Sequence, residues 1–235
     1  MKLKLCITAN ILIVLMVAYG IFLMMSLTAD KIGENGAAGG GALLTAGLRN
    51  MRFFTMLSNV LAGIMAVVFL AVYLTGRAGG TPEAGAPGAG GFAVPVWLAV
   101  LKYAAAVSVT LTLVVVLIFL GPRIGYAYLF TGPNLWFHLI VPVAEIIEFI
   151  WLDSFEGFPE MGFSAALIAV APMFLYGVWY FLNVLRGGMA DGRYVNDWYG
   201  FASWGIPASF IVFAVVAVLT WLLALLLKWG NLRLR

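Results

Sequence analysis

Charge is the scarcest feature of this sequence. Of its 235 residues, 10% are Asp, Glu, Lys or Arg, against about a quarter in a typical soluble domain. So few charges cannot furnish a water-facing exterior, so lipid must cover most of the surface. Cysteine is almost absent. Cys6 stands alone, which excludes an internal disulfide and any multi-cysteine metal site. His138 is the one histidine. One His with two nearby Glu makes a poor transition-metal site, so neither a metal nor a cofactor is expected. The net charge of +3 comes with no long basic run, which argues against a nucleic-acid partner. The length leaves room for one compact bundle and no second domain, and no internal repeat is visible.

What fills the chain is apolar. Hydrophobic residues make up 64% of it, and mean hydropathy is +1.05. A span needs about 20 apolar residues, because helix rise is about 1.5 Å and the hydrocarbon core is about 30 Å thick. Six stretches qualify: 3–28, 53–75, 94–120, 135–152, 164–185 and 206–229. The expected fold is all-α, a polytopic membrane bundle of about six transmembrane helices in one domain. Lys2 and Lys4 ahead of the first stretch give the charge order of a signal peptide. That stretch is too long for a signal h-region, so it reads as a retained helix. Residues 79–91 form a Gly/Ala/Pro tract, read as a flexible linker. Loop Lys and Arg divide almost evenly between the two sides, so the positive-inside rule barely discriminates. The lean is to both termini in the cytoplasm.

Polar residues at membrane depth each ask for a reason. Thr55, Ser58 and Asn59 share one face of the second stretch, and Gly63 continues it. Helix packing is the leading reading of that face, and a polar pocket floor is the other. The fourth stretch carries the most polar groups. At about 100° per residue, Glu145 lies within about 20° of His138, and Glu148 follows one turn later. Pro142 removes a backbone hydrogen bond and frees a carbonyl near His138. Intramembrane ionisable residues are functional by default, which favours a working role for His138. Each glutamate is as well explained by a bond to Lys102 or to a tyrosine. Lys102 sits near the start of the third stretch, where it snorkels or pairs with Glu148 or Asp153. Tyr176, Tyr180 and Asn183 line one face of the fifth stretch, as pocket wall or as interhelical partners. The first and sixth stretches read as apolar walls.

Two motifs carry a resemblance. Phe53-Phe54-Thr55-Met56-Leu57-Ser58-Asn59 opens one helix, and Asn134-Leu135-Trp136-Phe137-His138 with Pro142 follows two helices later. Together they resemble the androgen-induced-gene family, which includes the androgen-dependent regulator of tissue factor pathway inhibitor. Its bacterial integral-membrane relatives are the nearer likeness. With them it extends to Glu148, Asp153, Pro172, Tyr176, Arg186-Gly187 and Trp198-Tyr199. The resemblance implies an intramembrane hydrolase of fatty acid esters of hydroxy fatty acids. By matched position, Thr55 is its nucleophile and His138 its base. It also implies a bacterial cytoplasmic (inner) membrane.

That chemistry suits these residues. A threonine hydroxyl needs an adjacent base, and His138 would take its proton and return it to the leaving alkoxide. Glu145 or Glu148 would orient the imidazole. Asn59, Tyr176, Lys102 or backbone groups near Pro142 would hold the oxyanion. Ser58 and Tyr180 would give polar support. The expected partner is a membrane lipid or lipid ester within the bilayer, and acyl transfer to a second lipid is a close variant. Two other readings stand beside this one. One is a small proton-coupled carrier using His138, Glu145 and Glu148 as a relay. The other is a non-catalytic membrane protein with buried polar cross-links. Oligomeric state is left open.

Overall fold

The computed structural model describes residues 2–34, 48–78, 94–153 and 162–234, with the backbone alone for 29–34, 77–78 and 162. The Gly/Ala/Pro tract at 79–91 and most of the acidic loop after Asp153 lie outside the described residues. The chain is an all-α, multi-pass integral membrane bundle, with six helices among the described residues long and apolar enough to cross a bilayer. They are α1 (Lys2–Glu34), α2 (Phe54–Ala78), α3 (Val96–Ile124), α4 (Pro133–Leu152), α5 (Gly162–Gly187) and α6 (Ile206–Leu234). Successive helices run up and down, so both chain ends lie at one end of the bundle. The starts of α2, α4 and α6 lie at the other.

The most enclosed helix is α3. Its run Ala104-Ala105-Ala106 is fully buried, and such small side chains let neighbouring helices approach closely where lipid supplies no hydrophobic drive. Glycine does the same for α1. A Cβ at Gly20 would lie 2.7 Å from the Phe137 ring on α4, and one at Gly63 on α2 would lie 3.1 Å from Val17. Gly63 therefore serves the α1–α2 contact rather than a pocket floor. Along α1, Ile13 and Val17 pack with Ala66 of α2 and Val141 of α4.

Two departures from regular helix matter for the site. First, α3 and α4 contain π-helical turns at Val116–Leu120, Trp136–Ile140 and Glu148–Leu152. Such turns add a residue to the turn and rotate everything beyond them. Second, the loop after α5 forms a small hairpin, Met189–Ala190 against Arg193–Tyr194. Asp191 and Gly192 both take positive φ, 51° and 74°, the two-residue turn that Asp-Gly favours. That dipeptide was the signal for the hairpin, and hydropathy alone passes over it.

Candidate functional site

Thr55 sits in the first turn of α2, at the end of the bundle away from the chain termini. It lies in a wall shared by two cavities. One, of about 790 Å³, is lined by His138, Arg123, Asn50, Thr131 and Trp198, with apolar residues of α1 and α3 around them. The other, of about 210 Å³, is an apolar slot between α2, α3, α5 and α6, lined by residues such as Leu111, Met173 and Phe213. Thr55, Phe119, Leu120 and Tyr199 line both. The Thr55 hydroxyl makes no hydrogen bond among the described residues, and neither does its backbone N–H. That N–H is an orphan donor of a helix start, where the partial positive charge of the helix also gathers. The Phe54 N–H beside it donates to the Tyr199 hydroxyl at 2.9 Å.

His138 is buried, and its Nδ1 lies 3.0 Å from the Leu129 carbonyl. A carbonyl only accepts, so Nδ1 carries the hydrogen and a neutral ring presents its Nε2 lone pair. The Leu129 carbonyl is brought there by a chain reversal with Gly125 and Gly132 at positive φ, 97° and 57°. No hydrogen bond joins His138 to Thr55 among the described residues, as is common at catalytic pairs without substrate.

Pro142 has the effect its chemistry demands. Within the π turn, the Val141 N–H donates to the Trp136 carbonyl. The next donor in that register would be residue 142, and proline has none. The Phe137 carbonyl is left over, and Asn59 Nδ2 donates to it at 2.9 Å and to the Thr55 carbonyl at 2.7 Å. One buried amide thus ties the residue before His138 to Thr55. Asn59→Leu is expected to lower unfolding free energy by about 1–3 kcal/mol, the cost of orphaning a buried acceptor. Denaturant unfolding in detergent micelles measures it.

The other candidates fall into place around these two. Ser58 Oγ pairs with Thr112 Oγ1 at 2.9 Å, an α2–α3 cross-link. The Tyr176 hydroxyl donates to the Arg52 carbonyl at 2.6 Å and accepts from Trp198 Nε1 at 3.0 Å. The Tyr180 hydroxyl bonds Asp197, whose carboxylate accepts from the Phe201 and Ala202 N–H groups. Both tyrosines therefore brace the loop that presents Tyr199. Burial, reinforced by Tyr176, pushes the Tyr199 phenol well above its ordinary pKa, so it stays neutral. With Asn59 and Tyr176 committed elsewhere, the Thr55 N–H is a donor still available for an oxyanion, and sequence reasoning missed it.

Lys102, Glu145 and Glu148 are not at this site. They gather at the opposite end of α4 with Cys6, Asn10 and Asp153, all buried. Lys102 Nζ lies 2.5 Å from Glu148 Oε1, 3.0 Å from both Asp153 oxygens and 3.2 Å from Asn10 Oδ1. Asn10 Nδ2 donates to Glu148 Oε1 at 2.6 Å. Glu145 does not hydrogen-bond His138 among the described residues, for two reasons. Seven residues separate them along the axis, about 10 Å of rise. The π turn at His138 also breaks the regular rotation that the alignment assumed. The role of orienting the imidazole falls to the Leu129 carbonyl instead. The apolar-wall reading of the outer helices also fails. Asn10 on α1 and Asn231 on α6 are fully buried, and Asn231 Nδ2 donates to the Phe149 and Asp153 carbonyls at 2.6 and 2.8 Å. For Asn10, a lone asparagine in an apolar run was the available signal.

Ligand atoms of Cys6, Glu148 and Asp153 lie within 4.8 Å of one another, a spacing that could hold a metal ion. The Lys102 ammonium already takes the carboxylate oxygens such an ion would need. At Asp153, just beyond the α4 span, burial pushes the carboxyl well above its usual range. Glu148 adds to the shift and Lys102 opposes it. Compared with protein families, with curated proteins and with solved structures, the chain matches none.

Proposed function

We propose that the protein is an intramembrane hydrolase of lipid acyl esters, with Thr55 as nucleophile and His138 as general base. The observation that carries this is the place of Thr55. Its hydroxyl, without a hydrogen bond among the described residues, lies where a partly polar cavity lined by His138 meets an apolar slot of acyl-chain character. A chain in the slot would bring its ester carbonyl to Thr55. His138 Nε2 takes the hydroxyl proton as Oγ1 attacks, and the carbonyl oxygen gathers negative charge against the Thr55 N–H at the α2 start. The tetrahedral species collapses as His138 protonates the leaving alkoxide. Water entering through the larger cavity then hydrolyses the threonyl ester, with His138 again as base. The motif resemblance points the same way and supports a bacterial inner membrane as the setting. Transfer of the acyl group to another lipid differs only in the acceptor. A proton-coupled carrier that used His138, Glu145 and Glu148 as one relay would have to bridge the roughly 10 Å of helix rise between His138 and Glu145.

A fluorophosphonate probe tests the nucleophile. The expected result is one labelled peptide, carrying Thr55, in the wild-type chain and none in Thr55→Ala. Labelling that persists in Thr55→Ala overturns the assignment. The slot has its own test. Val216→Phe adds a ring to its lining and is expected to raise KM for long-chain esters by roughly 10-fold, the worth of a few methylenes, with short esters little affected. Steady-state kinetics on an ester series measures it.

A further inference from the structure

The cluster at the terminal end of α4 is unbalanced in charge. Glu145, Glu148 and Asp153 face a single ammonium, Lys102, and all four side chains are 1% exposed. Full ionisation would leave two negative charges uncompensated in a buried site, at a large desolvation cost. Four neighbouring helices supply the described groups around them. α1 supplies the Cys6 thiol and the Asn10 amide, and α2 the Phe69 ring, 4.6 Å from Lys102 Nζ. α3 supplies Lys102, and α6 the Asn231 amide, spent on backbone carbonyls. The charged groups acting on Glu145 are Glu148 and Lys102.

The available donors converge on part of the cluster only. Lys102, Asn10 and Cys6 all reach Glu148 Oε1, and Lys102 and Cys6 also reach Asp153. The Glu145 carboxyl receives no hydrogen bond among the described residues. Among the same residues, Glu145 Oε2 and Glu148 Oε2 are buried without a hydrogen-bond partner. These are acceptor positions that a hydrogen would satisfy.

We propose that this cluster is a proton-binding site, separate from the Thr55–His138 cavity, that holds two exchangeable protons at neutral pH. One resides on Glu145 and one is shared by the Glu148–Asp153 pair. Two protons on three carboxyls beside one ammonium make the cluster neutral. A proton is the occupant, rather than a metal ion, because Lys102 Nζ already sits among the oxygens. It also needs no room in a packed site.

Infrared spectroscopy of the full chain in lipid bilayers tests this without reference to hydrolysis. The expected spectrum at neutral pH contains carbonyl stretches of un-ionised carboxylic acids that shift on transfer to deuterium oxide. Glu145→Gln is expected to remove one such band, and Asp153→Asn to remove or displace the other. Incorporating glutamate with an isotopically heavy carboxyl into the unsubstituted chain should shift the Glu145 band. That measurement keeps the test open should a variant fail to fold. Carboxylate bands alone in the wild-type spectrum would overturn the proposal. So would un-ionised bands unmoved by Glu145→Gln or by the label. A metal ion co-purifying in stoichiometric amount would overturn it too, since that ion would then supply the missing charge.

Discussion

Lys102→Met is expected to destabilise the bundle by about 3–5 kcal/mol, the cost of leaving a buried carboxylate without its cation. Methionine fills nearly the same volume, so the loss reports charge and hydrogen bonding rather than a cavity. In the folded chain, Lys102 serves Glu148, Asp153 and Asn10 at once. Its removal leaves three carboxyls and no ammonium at the junction of α1, α3 and α4. Protons can stand in for the ammonium. The deficit should therefore shrink as pH falls and the carboxyls fill, and widen as pH rises. Removing the acids together with the lysine, as Lys102→Met with Glu148→Gln and Asp153→Asn, should restore most of the stability, because no charge is then left buried. Thermal unfolding across a pH series measures all of this. A Lys102→Met protein with wild-type stability at neutral pH would mean that the cluster does not hold the helices together.

The second large effect is on catalysis. Thr55→Ala and His138→Ala are each expected to lower ester hydrolysis by at least about 10³-fold, and the double variant should be little worse than either. Nucleophile and base act as a unit, so removing one already removes the covalent route. Thr55→Ser keeps a hydroxyl at the same place and should retain measurable activity. The stability readout separates chemistry from folding. The Thr55 side chain makes no hydrogen bond among the described residues, so Thr55→Ala should stay within about 0.5 kcal/mol of wild type. His138→Ala gives up the bond to the Leu129 carbonyl and should lose roughly 1 kcal/mol. Thr55→Ala that loses stability and keeps activity would reverse the roles assigned to it.

Much of the candidate site was legible because polar groups at membrane depth stand out against an apolar background. Thr55 and His138 line one cavity, and Pro142 frees a carbonyl beside His138, as its missing N–H requires. Glu148 and Asp153 do meet Lys102, one of the pairings the sequence allowed. What failed was angular reasoning along α4. A uniform 100° per residue puts Glu145 beneath His138, but the π turn at Trp136–Ile140 interrupts that count, and hydropathy does not mark where it falls. Asn10 and Asn231 escaped notice for a different reason. The partners that give each its role lie on α4, far away in sequence.

The sequence by itself determined the environment and the inventory. Scarce charge and six long apolar stretches require a bilayer and six helices, since backbone polar groups have no other way to be satisfied there. They also require that a handful of polar side chains turn inward. Which of these side chains share a space was decided by tertiary structure alone. Hydropathy scores each stretch separately, while partners are chosen across helices by packing, π turns and asparagine cross-links. That choice splits one apparent polar stripe on α4 into two centres at its opposite ends. Thr55 lies with His138 at one, and three carboxyls surround Lys102 at the other.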